Sequence, residues 1–183
     1  MKISGSLIAT IFTSAVLFTA CTKTPIENPE PVEQEVITTI RLVVTNSSGF
    51  NKTFNYKVLN DLNFVDEVVL APSTEYDVEI KVLNESLTPT EDITEEVLAE
   101  SNDHLFVLES NPATGAGAIS FTDGSKDADG NPLNQKLKFT TGEAGNGVLT
   151  VTLKHEPTNK NAGTAGAAGG ETDAEASFTV KLQ

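Results

Sequence analysis

The chain predicts a mainly β protein, an antiparallel β-sandwich of immunoglobulin-like type with one short helix over about residues 89–100. Three observations predict it. Apolar residues recur with a period of two, Gly, Asn, Asp and Pro clusters separate the alternating runs, and one segment carries a helix-start signal. Alternation with one polar face suits antiparallel sheets, because strands buried on both faces read as continuous apolar runs.

The elements follow in chain order. Val36, Ile40, Leu42 and Val44 share one parity, as do Phe54, Tyr56 and Val58. Less regular strands are expected around 64–70 and 104–109. In Glu75-Tyr76-Asp77-Val78-Glu79-Ile80-Lys81-Val82 every even position is apolar and every odd one charged. A strand puts alternate side chains on opposite faces, so this run has one dry and one wet face. Thr88-Pro89-Thr90-Glu91 has the form of a capping box with proline at the first helical position, and Asp92, Glu95 and Glu96 place negative charge near a helix start. Ile119 with Phe121, Leu137 with Phe139, Leu149-Val151-Leu153 and Phe178-Val180-Leu182 supply the later strands, for about nine in all. Residues 157–175 are rich in Gly and Ala and have no apolar period, so a mobile loop is expected before the last strand.

The first 21 residues read MKISGSLIATIFTSAVLFTAC. Lys2 precedes an apolar run from Leu7 to Phe18, followed by small residues. That is the layout of a secretory signal over 1–20. The run would span roughly 18 Å as a helix, short of a bilayer core of about 30 Å. Cys21 is the only cysteine, so it has no internal disulfide partner. Residues 21–35, with prolines at 25, 29 and 31 and several glutamates, are expected to form an extended tether. The rest, 36–183, is long enough to bury one core.

Charge narrows the partners. The 183 residues carry 12 Lys and Arg against 26 Asp and Glu, a net charge of −14. Such a surface repels phosphate backbones, so nucleic-acid binding is not expected. Aromatic stacking of sugars is a weak reading too, since the chain has no tryptophan and two tyrosines. No Gly-x-Ser-x-Gly elbow and no phosphate loop occur, and nothing singles out a catalytic carboxylate pair. The expectation is a protein that is not an enzyme and needs no cofactor.

Two constellations still suggest binding. His104 follows the expected helix, and His155 has the parity of the inward-facing Leu149, Val151 and Leu153. Imidazole is a common ligand for transition metals. If both histidines meet at one end of the sandwich, with Asp103 or Glu156 beside them, they suit a divalent ion or a small polar ligand. Two unrelated rim histidines are the plainer alternative. Asp123, Asp127, Asp129 and Asn131 have the spacing of calcium-binding oxygens. Pro132, however, stands where a calcium loop of EF-hand type needs glycine, and Asp129-Gly130-Asn131-Pro132 is itself a turn signal, so a hairpin turn takes precedence.

Phe18-Thr19-Ala20-Cys21 resembles the lipobox of bacterial lipoproteins. That resemblance implies lipidation of Cys21, cleavage just before it, and a membrane-anchored protein in the cell envelope. With no aspartate after Cys21, the outer membrane is the implied destination, facing either the periplasm or the exterior. The stretches ESLTPTEDITEEVLAESNDHLFVLES, GVLTVTLKHEPTNKNAG and GGETDAEASFTVKL, with the lipobox, resemble small flavobacterial lipoproteins often labelled type 1 periplasmic binding fold superfamily proteins. That label implies a two-lobed α/β fold of roughly twice this length, whereas the alternation read above implies a sandwich. The group brings no activity with it. The implied role is a lipid-anchored binding or structural accessory whose partner is an envelope protein or a small ligand.

Overall fold

A computed structural model describes residues 36–60 and 62–183. Cys21, the signal segment and the tether lie outside the described residues. Gln34–Gln183 form one compact unit. Among the described residues the strands are β1 (Thr39–Thr45), β2 (Asn51–Leu59), β3 (Leu62–Val65), β4 (Val68–Leu70), β5 (Glu75–Asn84), β6 (Glu91–Asp92), β7 (His104–Asn111), β8 (Ile119–Thr122), β9 (Lys136–Thr141), β10 (Gly145–His155) and β11 (Glu171–Leu182); the helices are α1 (Thr94–Ala99) and α2 (Ala165–Ala168).

The strands form two sheets. One has the order β3-β2-β1-β5-β9-β8, with β6 added beside β5; the other has the order β4-β11-β10-β7. One apolar core joins residues of both, with Leu42, Ile80 and Phe139 from the first sheet clustered with Phe106, Leu153 and Phe178 from the second. The expected mainly β, sandwich-like architecture is what the chain forms. Pairing is antiparallel except for β4 against β11, which run parallel. With only three residues, β4 is too short to show a period.

The alternation explains the burial. Tyr76, Val78, Ile80 and Val82 of β5 are buried, whereas Glu75 and Asp77 are exposed. Leu149, Val151 and Leu153 of β10 are fully buried, as are Ala176, Phe178, Val180 and Leu182 of β11. These are the parities that sequence alone assigns inward.

Two expectations need correction. The helix over 89–100 is shorter, Thr94–Ala99, because Glu91 and Asp92 pair with Asn84 and Leu83 as β6. The capping box at 88–91 thus goes unused, and the Asp92 carboxylate accepts from the Thr94 N–H at 3.1 Å instead. Burial acts to raise the Asp92 carboxyl, but bonds from Thr94 and Lys81 outweigh it and hold the group below its ordinary range. The second correction concerns 157–175. That segment contains α2, whose Thr164 hydroxyl caps the Ala167 N–H at 3.3 Å, and β11 already begins at Glu171. The small side chains let the segment lie flat: Ala168 is buried against Leu105 and Val107 on the outer face of β7, with Ala162 and Ala165 alongside. Among the described residues no helix is long and apolar enough to cross a membrane.

Candidate functional site

His104 opens β7 and His155 closes β10. The antiparallel register places them directly opposite one another. Their rings stack, with centroids 4.9 Å apart and planes within 8° of parallel. The sequence left open whether the two histidines meet; the structure brings them together.

The surroundings fix one ring. His104 is buried, and its Nδ1 lies 3.0 Å from the Glu100 carbonyl oxygen. A carbonyl only accepts, so Nδ1 carries the hydrogen and Nε2 is the free basic nitrogen of the neutral ring. That Nε2 lies 3.7 Å from Asp173 Oδ2. His155 Nδ1 lies 4.0 Å from Asp173 Oδ1, and its side chain keeps 28% of its surface. The carboxylate thus turns one oxygen to each imidazole.

A β-bulge delivers this aspartate. Leu153 pairs with Ala174 and Lys154 with Thr172, so the ladder skips Asp173. An extra residue in one strand bends it and re-aims a side chain. Lys154 holds the turn before the bulge, donating to the Gly170 carbonyl at 3.1 Å and the Thr172 hydroxyl at 2.8 Å. Gly170 has φ +65°, and a Cβ there would overlap the His155 carbonyl oxygen. Glycine is what allows the chain to pass so close.

Burial pushes the Asp173 carboxyl above its ordinary range, against the pull of His155, His104 and Lys154; Glu171 pushes it further the same way. Among the described residues, Asp173 Oδ2 and Thr39 Oγ1 are buried side-chain atoms with no hydrogen-bond partner. Both residues line one small cleft, shared with Ile37 and with Tyr56 and Val58 of β2. Unpartnered buried oxygens are uncommon in folded proteins.

Asp103 and Glu156, expected beside the histidines, meet through their backbones: the Glu156 N–H donates to the Asp103 carbonyl at 2.7 Å. Both residues are exposed, and the carboxylate that reaches the imidazoles is that of Asp173. Sequence reasoning missed Asp173 because a bulge breaks the strand period that would have revealed its face. The one local signal was Gly169-Gly170, two glycines just before it.

The acidic loop is a turn built around Asp127. Its Oδ1 accepts from the Asp129 and Asn131 N–H groups at 3.0 and 2.8 Å, and its Oδ2 accepts from Lys160 Nζ at 2.6 Å. The same ammonium donates to the Ser101 and Asn102 carbonyls at 2.7 and 3.1 Å. Asp129 accepts from the Asn102 side chain, and Asp123 is exposed at φ +54°. Burial alone would raise the Asp127 carboxyl; the Lys160 bond and the two backbone donors hold it below its ordinary range.

Comparison with family models, curated proteins and solved structures returned no match.

Proposed function

We propose that this chain is a lipid-anchored protein of the bacterial cell envelope, on the outer membrane, acting as a binding or structural accessory and not as an enzyme. The observation that carries the reading is Cys21, the chain's only cysteine, at the end of an apolar run that follows Lys2. Two or three acyl chains at about 0.8 kcal/mol per buried methylene make anchoring stable. The compact unit that begins at Gln34 supports the role, since a self-contained β domain on a Pro- and Glu-rich connection is suited to display at a membrane.

The test is Cys21→Ser in the producing cell. The parent is expected to incorporate labelled palmitate and sediment with membranes, whereas the variant takes no label and stays in the soluble fraction. Equal sedimentation of the two, or a parent that takes up no label, overturns the anchor.

A second reading has its own observation. The stacked His104 and His155, facing one partly buried carboxylate, favour binding of a divalent metal or a small polar ligand at that end of the sandwich.

A further inference from the structure

We infer that Asp173 completes, with His104 and His155, a site for one divalent transition-metal ion such as zinc. The assignment rests on the histidine-pair reading above and adds to it the third ligand and the class of ion.

Nδ1–H of His104 is committed to the Glu100 carbonyl, so Nε2 presents a lone pair. Opposite it, 3.7 Å away, stands Asp173 Oδ2, buried and without a donor. In the neutral ring these two atoms face each other lone pair to lone pair, an arrangement that either a proton on Nε2 or a metal ion between them relieves. His155 Nδ1 and Asp173 Oδ1 face each other across 4.0 Å. Bonds of roughly 2.0–2.2 Å at a tetrahedral angle set nitrogen and oxygen about 3.4 Å apart around one ion. The gaps of 3.7 and 4.0 Å are slightly wider, so the three side chains come within bonding range of one ion after a small movement.

The donor set selects the ion. Magnesium and calcium take oxygen ligands, whereas two imidazoles with one carboxylate suit zinc, copper or nickel. The support is already in place. The Glu100 carbonyl orients the first ring, as an outer hydrogen bond does in established sites, and the bulge sets the carboxylate. Asp173 also borders, with Thr39, a cleft open to solvent.

One movement is required. Parallel rings aim their lone pairs side by side, and among the described residues no three such side chains already enclose one point. The ring of His155, 28% exposed, turns about its Cβ–Cγ bond while that of His104 stays fixed. Binding thus breaks the stack, a change that an ion held elsewhere on the acidic surface does not produce.

The experiment is zinc titration of the purified full-length chain, followed by calorimetry and by the imidazole resonances. One ion per chain is expected, with both rings shifting together and with excess magnesium failing to compete. Asp173→Asn, nearly isosteric and checked for folding by circular dichroism, is expected to weaken binding at least about tenfold. His155→Gln is expected to do the same. If Asp173→Asn binds as tightly as the parent while His155→Gln does not bind, the aspartate's part is overturned and the histidine pair stands. If the parent takes up no zinc at about 1 mM, both fall.

Discussion

The Lys160 ammonium holds together three stretches of chain that lie far apart in sequence. It donates to Asp127 Oδ2, to Ser101 and to Asn102, and its side chain is 11% exposed against 1% for Asp127. A buried pair gains little net stability over apolar packing, yet removing one partner strands the other and costs about 3–5 kcal/mol. Lys160→Met is expected to lower the unfolding free energy at pH 7 by about 3 kcal/mol, measured by urea titration. The sign with pH follows from the carboxyl. Its folded pKa is held down, so its contribution is present above the unfolded value of about 3.9 and is lost as pH falls through the folded one. The gap between parent and variant should therefore shrink towards pH 3. An equal gap at both pH values would show that the ionised Asp127 is not what Lys160 stabilises. Residues at this scale were unevenly legible. The turn at Asp127 could be read because its donors lie two and four residues away. Its lysine could not, being 33 residues distant with no local signal. His155 was legible by strand parity, and Asp173 was hidden by the bulge.

Strand β5 shows how an element deals with an incomplete neighbour. On one side β1 pairs along Asp77–Leu83, but on the other β9 covers Glu75–Glu79 and β6 only Leu83–Asn84. The gap between is closed from outside the ladder. The Ile80 N–H donates to the Gln135 carbonyl at 2.8 Å, and Gln135 Nε2 donates back to the Ile80 carbonyl at 2.9 Å. The Thr94 hydroxyl accepts from the Val82 N–H at 2.9 Å and donates to its carbonyl at 3.3 Å. Thr94→Val keeps the shape but leaves a buried N–H unpaired, which costs about 1–3 kcal/mol. Thr94→Ser keeps the hydroxyl and should retain most of the stability. Thermal unfolding of the two variants checks this, and equal melting temperatures would mean that the hydroxyl does not complete the strand. The same region explains the misplaced helix start. The capping box at 88–91 is a local signal, but Glu91 and Asp92 gain backbone hydrogen bonds from β5 that a helix start would forfeit. Local propensity yields there to a tertiary pairing that no window of sequence contains. Where burial on one face dictates alternation, as in β5, β10 and β11, the strands were legible. The strand expected around 64–70 is two short ones, β3 and β4, and the parallel pairing of β4 had no sequence signal.

For the molecule as a whole, two electrostatic effects of opposite sign compete. Exposed pairs such as Lys138–Glu75 and Lys136–Glu79 weaken as salt screens them, but such solvated pairs contribute little. Against them stands the repulsion among 26 acidic residues matched by 12 basic ones. Repulsion acts between all the surface charges that lie within a Debye length, about 30 Å at 0.01 M salt but only about 6 Å at 0.3 M. The surplus of 14 negative charges means that most carboxylates have like-charged neighbours and no cation to pair with. Screening therefore relieves more repulsion than it removes attraction, and the folded state, being more compact than the unfolded chain, gains from it. The melting temperature at pH 7 is expected to rise by a few degrees, about 1 kcal/mol of stability, between 0.01 and 0.3 M sodium chloride. Near pH 4 the carboxylates are half protonated, the surplus shrinks, and the salt effect should fade. A melting temperature that falls with salt at pH 7 would show that the ion pairs outweigh the surplus, and with it that the acidic surface is locally neutralised in the folded protein.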